Sequence, residues 1–221
     1  IKDLAKEYAD LNGDSLVNIS AEERKKALVD YALPKNIKKM QADMEKYKIF
    51  YDKWFFESEL HKSGAVKAVV DLLTEKGLTY EKDGAVWYKN KEVLTQKLLK
   101  EGKSQKYIDN LELKDDVLIR QNGNPTYFTA DIAYHKNKFD RGFTTLIDVW
   151  GADHHGHVMR MKGAMDAIGY DGDKLNVVLM QLVKLVKDGE LVRMSKRTGK
   201  AIQLGDLLDE VPVDSARFLF N

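Results

Sequence analysis

The stretch Thr144-Thr145-Leu146-Ile147-Asp148-Val149-Trp150-Gly151-Ala152-Asp153-His154-His155-Gly156-His157 decides the fold. Thr144 to Trp150 is a short, largely apolar run of β type. Behind it Val158, Met161, Met165 and Ile168 recur three or four residues apart and end at Gly169, the pattern of an amphipathic helix with a glycine at its carboxyl end. A second apolar run from Val177 to Val186 follows, turning at Lys187-Asp188-Gly189-Glu190. Strand, helix, strand in that order predicts a βαβ unit and a parallel sheet. Ligands of open α/β sheets bind beyond the carboxyl ends of the strands, where glycines admit close backbone approach and helix N-termini favour phosphate oxygens. Gly151 to His157 occupies that position, and Asp153 there suits a ribose hydroxyl pair.

Working outward, Val117 to Arg120, a turn at Asn122-Gly123-Asn124-Pro125, and Tyr127-Phe128 read as a hairpin that feeds a helix through Asp131 and Tyr134. A last helix runs from Asp214 to Phe220. Upstream the texture is helical. Leu4 and Tyr8 begin one apolar stripe, and Ser20-Ala21-Glu22-Glu23 has the form of a capping box ahead of Ala27, Leu28 and Tyr31. Pro34 is expected to interrupt that run. Ile37, Met40, Met44, Tyr47, Tyr51 and Trp54 then predict one long amphipathic helix whose stripe packs on a core or a neighbouring domain. Gly64 to Lys76 predicts a helix with Val66, Val69, Val70 and Leu73 inward, ended at Gly77. Leu78 to Trp87 reads as a hairpin pivoting on Asp83-Gly84, Val93 to Leu99 as a helix before Gly102, and residues 103–116 as linker. This divides the chain into a helical and hairpin region, 1–116, and an α/β region, 117–221.

Composition narrows the function. The 221 residues are 43% hydrophobic and 10% aromatic, enough for a sizeable core. Thirty-six Lys and Arg against thirty-five Asp and Glu leave a formal charge of +1, so any site for a charged ligand is local. The absence of cysteine excludes a disulfide framework, a thiolate metal site and a cysteine nucleophile, and fits a reducing compartment, with cytoplasm the expected location. No run approaches eighteen consecutive apolar residues, so no membrane association is expected. The chain begins Ile1-Lys2-Asp3-Leu4 without methionine or signal peptide and reads as an excised piece.

Two strings carry chemistry. In Gly151-Ala152-Asp153-His154-His155-Gly156-His157, three of the five histidines fall within four positions, which raises zinc. A His-Glu-x-x-His pattern, a cysteine and an obvious third ligand are all lacking, so a nucleotide turn is the stronger reading. The other string is Val192-Arg193-Met194-Ser195-Lys196-Arg197-Thr198-Gly199-Lys200. Residues 181–200 hold six basic and two acidic side chains, a local net of +4, which suits a polyphosphate whose charge redistributes during reaction.

Arg193-Met194-Ser195-Lys196 resembles the lysine-methionine-serine-lysine-serine loop of class I aminoacyl-tRNA synthetases. Within that class, three stretches together resemble bacterial arginyl-tRNA synthetases: Tyr127-Phe128-Thr129-Ala130-Asp131-Ile132-Ala133-Tyr134-His135, Asp148 to His157, and Asp214-Ser215-Ala216-Arg217-Phe218. The likeness covers 117–221 with ordered motifs and 1–116 more loosely, through Phe55 to Gly64 and Asp83 to Trp87.

The resemblance implies the second half of a Rossmann-like parallel-sheet catalytic core, preceded by a helical region with a β-hairpin. It implies attack of the L-arginine carboxylate on the α-phosphate of ATP with Mg²⁺ present, then transfer of the arginyl group to the terminal ribose of tRNA(Arg) by a parent expected to be monomeric. Lys196 matches the second signature lysine, which stabilises the α-phosphoryl transition state. Arg193 replaces the first, keeping the charge but presenting a fork instead of a point ammonium, and Ser195 belongs to the same catalytic loop. Gly151, Asp153, His154 and the backbone of Met194 fall where the family meets ATP. Tyr127 and Asp131 match the tyrosine and acid used for arginine, and His155 stands where relatives place a glutamine. Tyr127 and Asp131 are four residues apart, so a helical segment there would turn both to one pocket, and a carboxylate accepts two parallel hydrogen bonds from a guanidinium.

The family's histidine-isoleucine-glycine-histidine loop and its C-terminal tRNA-docking domain have no counterpart here, so the polypeptide alone is expected not to form adenylate. Two other readings are a nucleotidyltransferase with a different acceptor, and a non-catalytic RNA-binding module using Lys35, Lys38, Lys39 and residues 184–200.

Overall fold

A computed structural model describes residues 1–181, 183, 186–187, 190–191 and 203–220. Backbone contacts divide the chain into two compact units, Ile1–Lys53 with Val183–Asn221, and Trp54–Leu182. The 116/117 division drawn from composition falls inside the second unit.

In the first unit, α1 (Lys2–Asn12) packs on α2 (Ala21–Lys46), with Tyr8 edge-on to Tyr31 at 5.0 Å. The predicted capping box is present at Ser20 and Glu23. Pro34, however, does not break the helix but lies inside α2. Proline removes one N–H bond to the carbonyl four residues back, that of Asp30, and both residues are exposed, so water can take the freed carbonyl. The long stripe is also corrected. The helix stops at Lys46, Lys48 adopts φ 62°, and Tyr51 and Trp54 lie beyond it. No residue of α2 is fully buried; Ile37, Met44 and Tyr47 are half-buried and Met40 is exposed.

The second unit opens with α3 (Glu57–Lys62) and α4 (Ala65–Glu75), whose Val66, Val69 and Leu73 are buried as expected. Strands β1 (Thr79–Lys82) and β2 (Ala85–Tyr88) form the predicted hairpin, with Asp83 and Gly84 at φ 52° and 71°, the left-handed pair that a two-residue turn needs. Helix α5 (Asn90–Lys100) follows. The supposed linker contains α6 (Gln105–Asp109), capped by Ser104 and anchored by buried Ile108. Strand β3 (Asp116–Ile119) pairs antiparallel with β2, not with the segment after the turn. Tyr127-Phe128 are therefore not a strand; only a single bridge, Ile119 to Pro125, remains of that predicted hairpin, and Tyr127 already begins α7 (Tyr127–Asp140).

Strand β4 (Leu146–Gly151), α8 (His155–Ile168) and β5 (Leu175–Met180) form the predicted βαβ unit, with β4 and β5 parallel from Leu146↔Leu175 to Gly151↔Met180, although β5 starts before Val177 and stops well short of the expected Val186. The core gathers Leu60, Val69, Leu73, Tyr88, Leu118, Phe128, Ile132, Met161, Met165 and Leu175. Helix α8 approaches α5 closely at Gly163, where a methyl group would come 2.6 Å from Leu94 Cδ2. One face of β4 and β5 turns inward through Leu146, Asp148 and Leu175. The other leaves Ile147, Val149, Val178 and Met180 exposed, unusual for parallel strands.

The chain returns to the first unit. β6 (Val186–Lys187) pairs antiparallel with β7 (Glu190–Leu191), and α9 (Leu204–Glu210), which periodicity did not predict, precedes α10 (Val213–Phe220). Arg217 of α10 donates to the carbonyl of Tyr47 at 2.8 Å and so satisfies the end of α2. Phe218 and Leu219 are exposed.

Candidate active site

The start of α7 is fixed from both sides. The Thr126 hydroxyl caps the helix, accepting from the Thr129 amide at 3.4 Å, and donates to the Val117 carbonyl at 2.7 Å; the buried Thr129 hydroxyl donates to the Leu118 carbonyl at 2.7 Å. These bonds to β3 set the rotation of the helix. Ile132 and Ala133 face the core, Tyr127 stands 80% exposed, and Asp131 is half-exposed one turn on. Asp131 borders a small pocket of about 160 Å³ with Phe55, Glu57, Leu60, Ala130 and Tyr134, in which Phe55 stacks on Tyr134 at 4.7 Å.

The Asp131 carboxylate is not alone. His157, on the first turns of α8, directs Nε2 to its Oδ2 at 3.2 Å. The imidazole is held between Phe128 at 5.6 Å, edge to face, and Trp150 at 5.3 Å. Next to it Arg160 forks onto Asp116, through Nε at 3.0 Å and a second nitrogen, with its guanidinium 4.8 Å above the Phe128 ring. Burial of Asp116 raises its carboxyl despite the opposing charge of Arg160.

Beneath Asp131 lies a buried charged group. His135 Nδ1 bonds the Asp131 carbonyl at 2.8 Å, its Nε2 meets Asp148 Oδ2 at 2.5 Å, and Lys138 Nζ reaches Asp148 Oδ1 at 2.7 Å. Burial works against ionisation of Asp148, but the hydrogen bonds and charges of His135 and Lys138 prevail and hold its carboxyl below the ordinary range. This group ties α7 to β4 and, through the edge-on contact of His135 with Trp150, to the carboxyl end of the strand.

Gly151 ends β4 and a single 3-10 turn, Ala152–His154, leads into α8. Asp153 folds back over Gly151, its Oδ1 2.5 Å from where a Cβ would stand, so only glycine leaves the carboxylate that place. His154 lies 3.8 Å from Asp153, and both are exposed.

The structure thus brings Tyr127 and Asp131 onto one stretch of α7 and Gly151, Asp153 and His154 onto one turn. His155 is placed apart from Asp131, lining a cleft of about 810 Å³ between α5, residues 111–116 and α8. Arg193, Met194, Ser195 and Lys196 lie outside the described residues. Among the described residues no three His, Asp or Glu side chains converge as a metal site.

Residue-by-residue reading missed His157, His135, Asp148 and Lys138 as partners of the site. One signal was available: Asp148 is a lone charge in an apolar strand, at a position that alternates inward with Leu146. No spacing rule connects it to His135 or Asp131 to His157, because those pairs form between elements.

Fold and site define an α/β enzyme domain that presents its polar groups at the carboxyl edge of parallel strands. Residues 22–220 match the family model described as tRNA synthetases class I (R), catalytic domain, and the chain belongs to that family. It is 54% identical over 222 residues to an arginine–tRNA ligase of Caldanaerobacter subterraneus subsp. tengcongensis, covering 100% of this chain and 36% of that protein. With the arginine–tRNA ligase of Ruminiclostridium cellulolyticum it shares 50% identity over 217 residues, 98% of this chain and 36% of the relative. The chain therefore spans about a third of the length of these relatives. A solved Campylobacter jejuni structure named as an arginyl-tRNA synthetase superposes with TM-score 0.78 at 35% identity, over 99% of this chain and 43% of that one. A Thermus thermophilus arginyl-tRNA synthetase, 18% identical with TM-score 0.63 over 95% of this chain and 38% of that one, shares the fold. Among the described residues no helix is long and apolar enough to cross a membrane.

Proposed function

We propose that this chain is the part of an arginine–tRNA ligase that recognises L-arginine and borders ATP, with residues 117–221 forming the second half of the catalytic core and 1–116 an inserted or connecting region. The whole protein would activate arginine with ATP and pass the arginyl group to the 3′-terminal ribose of tRNA(Arg), as a cytoplasmic monomer. The observation that carries this reading is Asp131, a half-exposed carboxylate fixed one helical turn from Tyr127. A carboxylate so placed accepts two parallel hydrogen bonds from a planar guanidinium, which a lysine ammonium cannot reproduce. Leaving it unpaired discriminates against substrates that lack the matching donors.

The remaining roles follow from chemistry and family resemblance. Asp153, held over Gly151, accepts from ribose hydroxyls, with His154 and the Met194 backbone bordering the nucleotide. Lys196, with Arg193 and Ser195 in the same loop, stabilises charge developing on the α-phosphate as the arginine carboxylate attacks and pyrophosphate leaves. His155 is kept as a substrate-side residue. Mg²⁺ would enter with the ATP phosphates as part of the substrate and offset their charge.

The test is ATP-dependent charging of tRNA with labelled arginine by the whole protein. Asp131→Asn should raise the KM for arginine by about tenfold or more with a smaller change in kcat, and Lys196→Ala should lower kcat. Charging by both variants at wild-type parameters would overturn the assignment.

A further inference from the structure

We infer that His157 is a positioning and specificity-determining residue: it holds the Asp131 carboxylate in the orientation that receives the substrate's guanidinium. The inference rests on the reading of Asp131 as the arginine-binding acid. Its basis is a contact between two helices. Asp131 projects from α7 and is half-exposed; its own helix supplies no hydrogen bond to the carboxylate, and its rotamer would otherwise be one of several. His157 reaches it from α8 at 3.2 Å. A carboxylate only accepts, so Nε2 is the donor and the bond directs Oδ2.

The donor is itself rigid. Phe128 and Trp150 both pack against the imidazole ring, and its side chain is only 18% exposed, against 47% for Asp131. Its neighbour Arg160 is committed to Asp116 by a two-nitrogen fork, so the cation nearest along α8 is directed away from Asp131. A donor held in place orders the acceptor it meets. Each carboxylate oxygen has two lone-pair directions, so Oδ2 accepts from His157 and still offers one to a guanidinium, while Oδ1 stays open for the second prong. The gain is preorganisation: the side-chain freedom of Asp131 is removed before arginine binds.

This predicts a specific kinetic pattern in the whole protein. His157→Phe keeps an aromatic ring between Phe128 and Trp150 but deletes the donor. It should raise the KM for arginine about five- to tenfold, with the KM for ATP and kcat nearly unchanged. His157→Gln, whose amide nitrogen substitutes for Nε2, should restore most of the loss. In the double variant, Asp131→Asn with His157→Phe, the histidine change should add little to the asparagine change, because the bond is already gone. Thermal melts of each variant establish that it is folded, and the glutamine variant covers the case in which the phenylalanine variant is not.

The outcomes separate two failures. If Asp131→Asn leaves the KM for arginine unchanged, the reading of Asp131 fails. If Asp131→Asn raises it while His157→Phe does not, the role of His157 is overturned. A lower KM for arginine in His157→Phe also overturns it, because the histidine would then compete with substrate for the carboxylate.

Discussion

His135 Nε2 lies 2.5 Å from Asp148 Oδ2, joining the middle of α7 to the inward face of β4. The other ring nitrogen faces the Asp131 carbonyl at 2.8 Å. The ring thus bridges a backbone carbonyl of α7 and a carboxylate of β4. Lys138 completes the group on the second carboxylate oxygen. The group lies between two parts of the candidate site, because the same helix carries Asp131 and the same strand ends at Gly151.

Asp148→Asn leaves His135 and Lys138 without their anion, and breaking a buried pair from one side costs about 3–5 kcal/mol. The expected result is a drop in Tm of several degrees, measured by calorimetry on the protein. The pH dependence has a definite sign. The folded carboxyl is held below its ordinary range, so its stabilisation is present above the unfolded pKa and is lost as pH falls through the folded one. Wild type should therefore lose stability on acidification more steeply than Asp148→Asn below about pH 4. Parallel curves would remove Asp148 from the acid response.

Gly151→Ala places a Cβ 2.5 Å from Asp153 Oδ1. Asp153 is exposed and its carboxylate can swing away, so the change in stability should stay within about 1 kcal/mol. On the role proposed for Asp153, the displaced carboxylate would no longer meet a ribose. The KM for ATP should rise several-fold while that for arginine is unchanged, as steady-state charging assays would show.

Two other glycines should differ in cost for a physical reason. A Cβ at Gly163 meets the Leu94 Cδ2 methyl at 2.6 Å, whereas one at Gly172 meets the Lys162 carbonyl oxygen at 2.3 Å. A side-chain tip can rotate, but a carbonyl within a helix cannot move without disturbing its hydrogen bonds. Both alanine variants should be destabilised, by about 1–3 kcal/mol for Gly163→Ala and more for Gly172→Ala, in denaturant melts. The reverse ranking would show that the α5 and α8 contact is the less forgiving.

Pro34→Ala should stabilise α2. It restores the N–H bond to the exposed Asp30 carbonyl and relieves the ring's clash with it, against a smaller loss of rigidity in the unfolded chain. A gain of about 1–2 kcal/mol, read as slower amide exchange across residues 30–38, is expected. Unchanged exchange would mean that Pro34 does not weaken the helix around it.

Much of this was legible in the sequence because the relevant physics is local. The Ser20 capping box, the Asp83-Gly84 turn and the Gly77 and Gly169 helix ends each depend on a few adjacent residues. Period-two and period-3.6 patterns gave β4, α8 and β5 in order, and the glycine at the end of β4 marked the turn into α8. Local pattern misled where two interpretations share one signature. The stripe of Ile37 to Trp54 continued past the true helix end, since spacing alone cannot show the left-handed turn at Lys48. Residues 103–116 looked unstructured although α6 stands there, because one buried residue, Ile108, is too little periodicity to detect.

By itself the sequence determined the βαβ order and the turn at Gly151 to His157, since these rest on spacing along one chain, and the family resemblance rests on motifs met in order along it. Only the tertiary structure decided that β3 joins β2, that His135 and Lys138 enclose Asp148, and that His157 is the residue that meets Asp131. Those pairings join groups 10 to 33 positions apart, from Asp148 to Lys138 and from Val86 to Ile119. Their partners are chosen by the packing of helices and strands that a linear pattern does not encode.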